Sequence, residues 1–249
     1  MKAVLRWVAL LVIAAAALQV FFIMRIAVAA TMDPQSTSFQ RSEAWRVVTQ
    51  KGRLRWRQEW VPYEQISDNL KRAVIASEDG SFTNHDGVDW EAVEKAWQRN
   101  SEAEEKALRQ RPRAAAKAQP TAAARTPKIV GGSTITQQLA KNLLLSGERT
   151  LLRKGQEFIL AFALERMLSK ERILEIYLNS VEWGEGVFGA EAAAQHYYRK
   201  SAARLTAYES ARLAVMLPRP KYFEKLPNSG YLASRASTIV ARMQGAVLP

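Results

Sequence analysis

Apolar residues fill the beginning of the chain almost without interruption. Trp7–Met24 is eighteen residues long, and its only polar side chain is Gln19. At about 1.5 Å of rise per residue, a helix of that length matches the hydrocarbon core of a bilayer. Lys2 and Arg6 precede it, which puts the tip in the cytoplasm and the bulk of the chain outside; Arg25 follows, then the apolar Ile26–Ala30. Ala27-Val28-Ala29 has the form of a signal-peptidase site, so a cleaved leader is the rival to an anchor. The apolar run is longer than an ordinary leader core, which favours an anchor. No later stretch reaches spanning length. The expected organisation is a tip and transmembrane anchor over residues 1–30, a short polar stalk over 31–44 and one domain over 45–249.

Within 45–249 the pattern changes to helical spacing. Arg53-Leu54-Arg55-Trp56-Arg57 alternates and, after Lys51-Gly52, predicts a small hairpin within Trp45–Trp60. Ser67-Asp68 then caps a helix with Leu70, Ala73, Val74 and Ser77 on one face, expected to stop in a left-handed turn at Gly80. Asp89–Asn100 reads as a further helix through Trp90, Val93 and Trp97. Thr134 with Gln137 three residues later forms a capping-box pattern after Gly131-Gly132, so a helix starts there. From Leu151 onward, stepping 100° per residue from Glu157 brings Leu160, Ala161, Leu164 and Leu168 within about 60° of it.

Composition adds three constraints. At 249 residues and 48% hydrophobic, the chain is large enough for a buried core. The absence of cysteine excludes disulfides and thiolate metal sites. A net charge of +12 predicts attraction to an anionic partner such as lipid headgroups, a phosphorylated substrate or nucleic acid. Lys106–Lys128 holds seven basic residues and three prolines, with no acid and no aromatic, and reads as a flexible basic loop. Beside a membrane anchor, its charge points to an anionic surface and not to nucleic acid.

Two places carry candidate chemistry. Glu78 and Asp79 end an apolar helix, with Phe82, His85 and Gly87 following. A carboxyl there has its pKa raised toward proton transfer, the plain alternative being a solvated helix end. Glu157 stands in the middle of an apolar arc, with Arg153 one turn earlier and Lys154 beside it. Charges on a core-facing stripe are costly unless paired or functional, so this is either a buried salt bridge or a site needing fixed positive charge, such as one handling phosphate. Lys141, about two turns into the helix after Thr134, adds a further cation near an anion-favouring helix start.

Taken in order, these segments resemble the successive motifs of the peptidoglycan glycosyltransferases: Glu78-Asp79-x-x-Phe82-x-x-His85-x-Gly87, Gly132-Ser133-Thr134-Ile135-Thr136-Gln137-Gln138, Arg153-Lys154-x-x-Glu157, and Glu171 through Asn179. Gly184-x-Gly186-x-x-Gly189, Glu209-x-Ala211-x-Leu213-Ala214, Leu217-Pro218 and Arg235 continue the series, so the similarity runs from about Trp45 to Met243. With no transpeptidase motif in the sequence, the likeness is to the monofunctional, membrane-anchored form. Two departures stand out: Arg219 where the family carries Asn, and the enlarged loop at Lys106–Lys128.

The resemblance implies a mainly α, lysozyme-like helical domain with a small membrane-facing subdomain near Leu143-Leu144-Leu145 and Leu151-Leu152, preceded by one transmembrane helix. It implies polymerisation of lipid II into β-1,4-linked glycan strands by inverting transfer, with undecaprenyl pyrophosphate released. Glu78 corresponds to the general base, and Glu157 to a second acid that holds a divalent metal cation (Mg or Mn) or orients the neighbouring cations. Substrate contacts are expected from Asp79, Phe82, Ser133, Thr134, Gln137, Gln138, Lys141, Asn142, Arg153, Lys154 and Arg235, while His85 and His196, the only histidines, read as structural. The implied setting is the bacterial inner membrane with an extracytoplasmic domain, lipid II and the growing strand as ligands, and other cell-wall synthases as partners. A lytic enzyme of lysozyme-like fold and a non-catalytic wall-binding or nucleic-acid-binding protein are the rivals. The first has no need of Arg153-Lys154, and the second does not explain Glu157 on an apolar arc.

Overall fold

A computed structural model describes residues 1–115, 132–145, 147 and 150–249, with side chains at all of these except 107–115. The chain divides into two compact units, residues 1–88 with 134–249, and residues 89–133.

The smaller unit is built on α4 (Trp90–Ala115), whose start is capped where the Asp89 carboxylate accepts from the Ala92 N–H at 2.8 Å. The helix continues past Asn100 to Ala115, so it occupies the start of the segment expected to be flexible from Lys106. Residues 116–128 of that segment lie outside the described residues.

The larger unit is mainly helical, as expected for a mainly α domain. Its helices are α1 (Lys2–Thr31), α2 (Ser38–Lys51), α3 (Asp68–Glu78), α5 (Ile135–Leu144), α6 (Leu151–Met167), α7 (Lys170–Ser180), α8 (Ala190–Tyr198), α9 (Ala207–Met216), α10 (Pro220–Phe223) and α11 (Gly230–Met243). The spacing read from the sequence explains the main packing. Leu70, Ala73 and Val74 bury the inner face of α3 against α9 and α11, while Leu160, Ala161 and Leu164 of α6 face Leu139 and Leu143 of α5 in the same core.

Three expectations are corrected. The stalk does not extend to residue 44: Ser38–Ala44 opens α2, held by a capping box between Thr37 and Gln40. Gln40 is buried and donates to the Ser180 carbonyl at 3.1 Å, which ties α2 to α7. The predicted hairpin is replaced by a non-local sheet, because α2 runs through Lys51 before Gly52 ends it in a left-handed turn. β1 (Arg57–Gln58) instead pairs in parallel with β3 (Val187–Phe188), and β3 pairs antiparallel with β2 (Glu182–Gly184), giving the order β1-β3-β2. Third, α3 ends at Glu78 with Asp79 as its C-cap, and Gly80 is not left-handed.

The glycines of Gly184-x-Gly186-x-x-Gly189 are required by the sheet. Gly186 has φ +72°, and a Cβ there would lie 2.2 Å from the Arg55 carbonyl; Gly189 has φ +85°, with the Asn179 carbonyl 2.8 Å from the same position.

α1 is the one described helix long and apolar enough to cross a membrane. Its final turns are not free. Phe22, Ile26 and Ala29 are buried in the core, and Gln19 and Gln156 of α6 exchange hydrogen bonds at 2.8 and 2.9 Å. Arg172 secures the end of the helix, donating to the carbonyls of Ala29 and Met32 at 3.0 and 2.9 Å and pairing with Asp33.

Candidate active site

The end of α3 meets the start of α5 at two carboxylates that face different ways. Asp79 is buried, with one oxygen 2.9 Å from His85 Nε2 and the other accepting the Ile135 N–H at 2.9 Å. It therefore caps the positive end of α5 and leaves no oxygen for a ligand. Thr134 and Gln137 turn inward as well: they form the predicted capping box, and Thr134 Oγ1 also donates to the Gly87 carbonyl at 2.6 Å. Phe82 is fully buried and packs edge-on to His85. These four side chains, expected at the substrate, are each buried and held by partners within the domain. His85 is held on both ring nitrogens, Nε2 by Asp79 and Nδ1 by the Gly87 N–H, which it accepts at 3.2 Å.

Glu78 is different. Its Oε2 accepts from Gln138 Nε2 at 3.1 Å, and Gln138 Oε1 in turn accepts from the Tyr177 hydroxyl at 3.0 Å. Burial raises the Glu78 pKa above its ordinary value, offset in part by the hydrogen bonds from Gln138 and Ser77 and by Lys141, with neighbouring Asp79 adding to the rise. The Tyr177 hydroxyl is pushed well up, first by its own burial and then by Glu78.

Gln138 and Tyr177 form part of the wall of a cleft of about 830 Å³, and Glu78, half-buried, is hydrogen-bonded to that wall through Gln138. Lys141 and Asn142 of α5 and Arg153 and Lys154 of α6 line the same cleft. Glu157 is buried beneath them, with Arg153 Nη1 donating to one oxygen at 2.8 Å and Lys154 Nζ to the other at 2.5 Å. The apolar arc read from the sequence is thus correct, and the buried carboxylate is salt-bridged to two cations that line the cleft. Arg235 is exposed on α11 and is not among the lining residues, and Ser133 is half-buried in the smaller unit. Arg219 also stays off the wall, although Pro218 and Pro220 on either side line it.

Sequence reasoning did not assign Tyr177 or the lining residues Glu43, Arg46 and Glu182 to the site. Tyr177 sits inside a quoted motif, and its position on the buried face of α7 was available. Glu43 and Arg46 come from α2, whose start was read as stalk, and Glu182 comes from β2, for which no local pattern was read.

A divalent cation at Glu157 does not fit the donors present. Both of its oxygens are engaged by cations, and among the described residues no three His, Asp or Glu side chains converge.

Comparison with known proteins agrees with this geometry. Residues 46–109 and 111–244 match the profile of the family described as Transglycosylase. A biosynthetic peptidoglycan transglycosylase of Burkholderia thailandensis is 52% identical over 233 residues, covering 94% of this chain and 82% of the relative. One from Paraburkholderia phytofirmans is 51% identical over 248 residues, 98% of this chain and 94% of the relative. Another from Bordetella pertussis is 51% identical over 217 residues, 87% and 82% of the two chains. With most of its length matched, the chain belongs to the transglycosylase family.

Proposed function

We infer that this protein polymerises lipid II into peptidoglycan glycan strands, joining disaccharide units through β-1,4 bonds by inverting transfer and releasing undecaprenyl pyrophosphate. The observation that carries the reading is a carboxyl with a raised pKa beside a cleft lined by Lys141, Arg153 and Lys154.

Glu78 takes the proton from the 4-hydroxyl of the acceptor sugar as that oxygen attacks the donor. Gln138, itself held by Tyr177, keeps the accepting oxygen in place. An inverting displacement needs no covalent intermediate on the protein, and a pyrophosphate leaving group needs no proton. It needs positive charge, which Arg153, Lys154 and Lys141 supply in a partly enclosed site. Glu157 keeps the first two aligned. No step is routed through a metal, because the donors do not fit one; an ion that arrives with the pyrophosphate is the form of the metal expectation consistent with this cleft.

The same reading sets the chain in the bacterial inner membrane as a single-pass protein with an extracytoplasmic domain. The apolar α1 and the basic residues at its start support that orientation. Lipid II and the growing strand are the ligands, and other cell-wall synthases are the protein partners expected to share them. Incubating the purified chain with labelled lipid II separates the readings: polymer is expected, cleaved strands identify a lytic enzyme, and unchanged substrate overturns the assignment.

A further inference from the structure

A second concavity, of about 380 Å³, shares no lining residue with the cleft described above. Phe21, Met24, Arg25 and Val28 line it along one stripe of α1, and Leu143 of α5 and residues 33–35 add to the wall. Apart from Arg25 and Asp33, that wall is mostly apolar. Arg41 of α2 holds the loop beside it: Nη1 donates to the carbonyl and the hydroxyl of Ser36, both at 3.0 Å, and Nη2 to the Ser38 hydroxyl at 3.1 Å. Ser38 in turn donates to the Leu143 carbonyl at 3.2 Å, which ties the loop to α5.

The positive charge at this place has no counter-ion. Arg25 is half-buried and, among the described residues, makes no hydrogen bond or ion pair. The hydrogen-bond partners of Arg41 are all neutral, and its guanidinium stands within electrostatic reach of Arg25. Asp33, the acid on the wall, is already paired with Arg172 at 2.9 Å. Two uncompensated cations beside an apolar hollow suit an anion that carries an apolar chain.

Depth in the membrane selects the anion. Arg25 stands about 34 Å along α1 from Lys2, past a hydrocarbon core of roughly 30 Å but within the roughly 40–45 Å that includes the headgroups. An arginine at the end of a membrane helix reaches for headgroups in any case; the hollow beside this one adds a place for a chain. An ethanolamine headgroup would bring its ammonium against two cations, whereas a headgroup with net negative charge meets no repulsion. The pyrophosphate of the lipid-linked substrate has its own three cations in the cleft, which Asn142 and Leu145 line while Leu143, between them, lines this pocket. We propose that the pocket binds one anionic phospholipid of the surrounding leaflet, its phosphate held by Arg25 and Arg41 and one acyl chain lying along Phe21, Met24, Val28 and Leu143. The proposal rests on the membrane-spanning reading of α1 given above.

The test is native mass spectrometry of the full chain in detergent, titrated with phosphatidylglycerol, phosphatidylethanolamine or undecaprenyl phosphate. One phosphatidylglycerol is expected to be retained about 10-fold more tightly than phosphatidylethanolamine, the range for one charge-assisted contact. Arg25→Gln is expected to remove that preference. Arg6→Gln, which takes the same charge from the other end of α1, is expected to keep it. Val28→Trp fills the pocket without changing charge and is expected to weaken phosphatidylglycerol as much as Arg25→Gln does; if it melts early, Met32→Trp replaces it. Equal retention of the two phospholipids, wild-type retention in Arg25→Gln, equal loss in Arg6→Gln, or displacement of phosphatidylglycerol by an equal amount of undecaprenyl phosphate overturns the proposal. The titration needs no turnover, so a wild-type chain that fails to polymerise lipid II ends the functional reading and leaves this measurement decisive. Extraction of the full chain from membranes by alkaline carbonate would end the spanning reading separately.

Discussion

Gln138 Nε2 donates to Glu78 Oε2 at 3.1 Å while the opposite end of the same amide is held by Tyr177. The amide cannot rotate without losing both partners, so the oxygen that receives the proton is fixed before substrate arrives. Glu78→Gln retains the shape and removes the base, and turnover of lipid II is expected to fall by about 10²-fold or more with binding largely kept. Near-wild-type turnover would remove Glu78 from the mechanism.

The same carboxyl predicts an opposite effect on stability. Its folded pKa is raised from 4.5, so the folded state binds the proton more tightly and loses stability as pH climbs through that window. Glu78→Gln is therefore expected to melt higher than wild type at pH 8, with the gap closing below pH 4.5. Thermal melts across pH check this, and a variant that melts lower at pH 8 contradicts it.

Gln138 and Ser77 donate the hydrogen bonds that hold the Glu78 pKa down against burial. Gln138→Leu should move the acidic limb of the pH–rate profile upward. Tyr177→Phe frees the amide and should give a smaller shift of the same sign. A limb that stays in place in both variants shows that Gln138 does not tune the base.

Arg153 and Glu157 form a pair at 2.8 Å in which the acid is buried. Replacing both, with Arg153→Met and Glu157→Leu, should leave the protein as stable as before or more so, since a buried ion pair exchanged for apolar side chains is often neutral or better. Activity should be lost, because a cation aimed at the pyrophosphate goes with it. Melting temperature beside lipid II turnover decides; a stable and active double variant ends the phosphate assignment.

Removing residues 1–30 takes away more than an anchor. Phe22 and Ile26 are buried in the core, and each is worth about 1.5–3 kcal/mol of burial. A chain starting at residue 31 is expected to melt well below one starting at residue 19, which keeps those contacts. Equal melting temperatures in the same detergent would show that the docked turns contribute nothing.

The parts of this architecture legible in the sequence are those where a few apolar positions decide the outcome. Glu157 was found because four aliphatic neighbours fix the inward face of α6. α2 escaped the same reading because its buried positions are Gln40, Glu43 and Val47, two of them polar and satisfied by partners distant in sequence. The β1–β3 pairing escaped because it joins residues 57–58 to 187–188, beyond the reach of any local pattern. Asp79, Phe82, Thr134 and Gln137 belong to the right motifs, but whether a side chain points to a ligand or into the scaffold depends on the tertiary packing. The motif located the site; the hydrogen bonds divided it into surface and support.

The reciprocal amide pair between Gln19 and Gln156 makes α1 a strut, not a tether. The length of α1 before Gln19 is about 26 Å, somewhat less than the roughly 30 Å of a hydrocarbon core. The strut therefore leaves no slack between catalytic domain and lipid. With α1 across a bilayer, as proposed above, it sets α6 at the bilayer surface, where Leu151 and Leu152 are 92% and 87% exposed and Leu151 forms part of the cleft rim. A lipid-anchored molecule diffusing in the same leaflet then meets the opening at a constant height. Its search is two-dimensional, and the rate of encounter follows its density per unit area of membrane and not its concentration per unit volume.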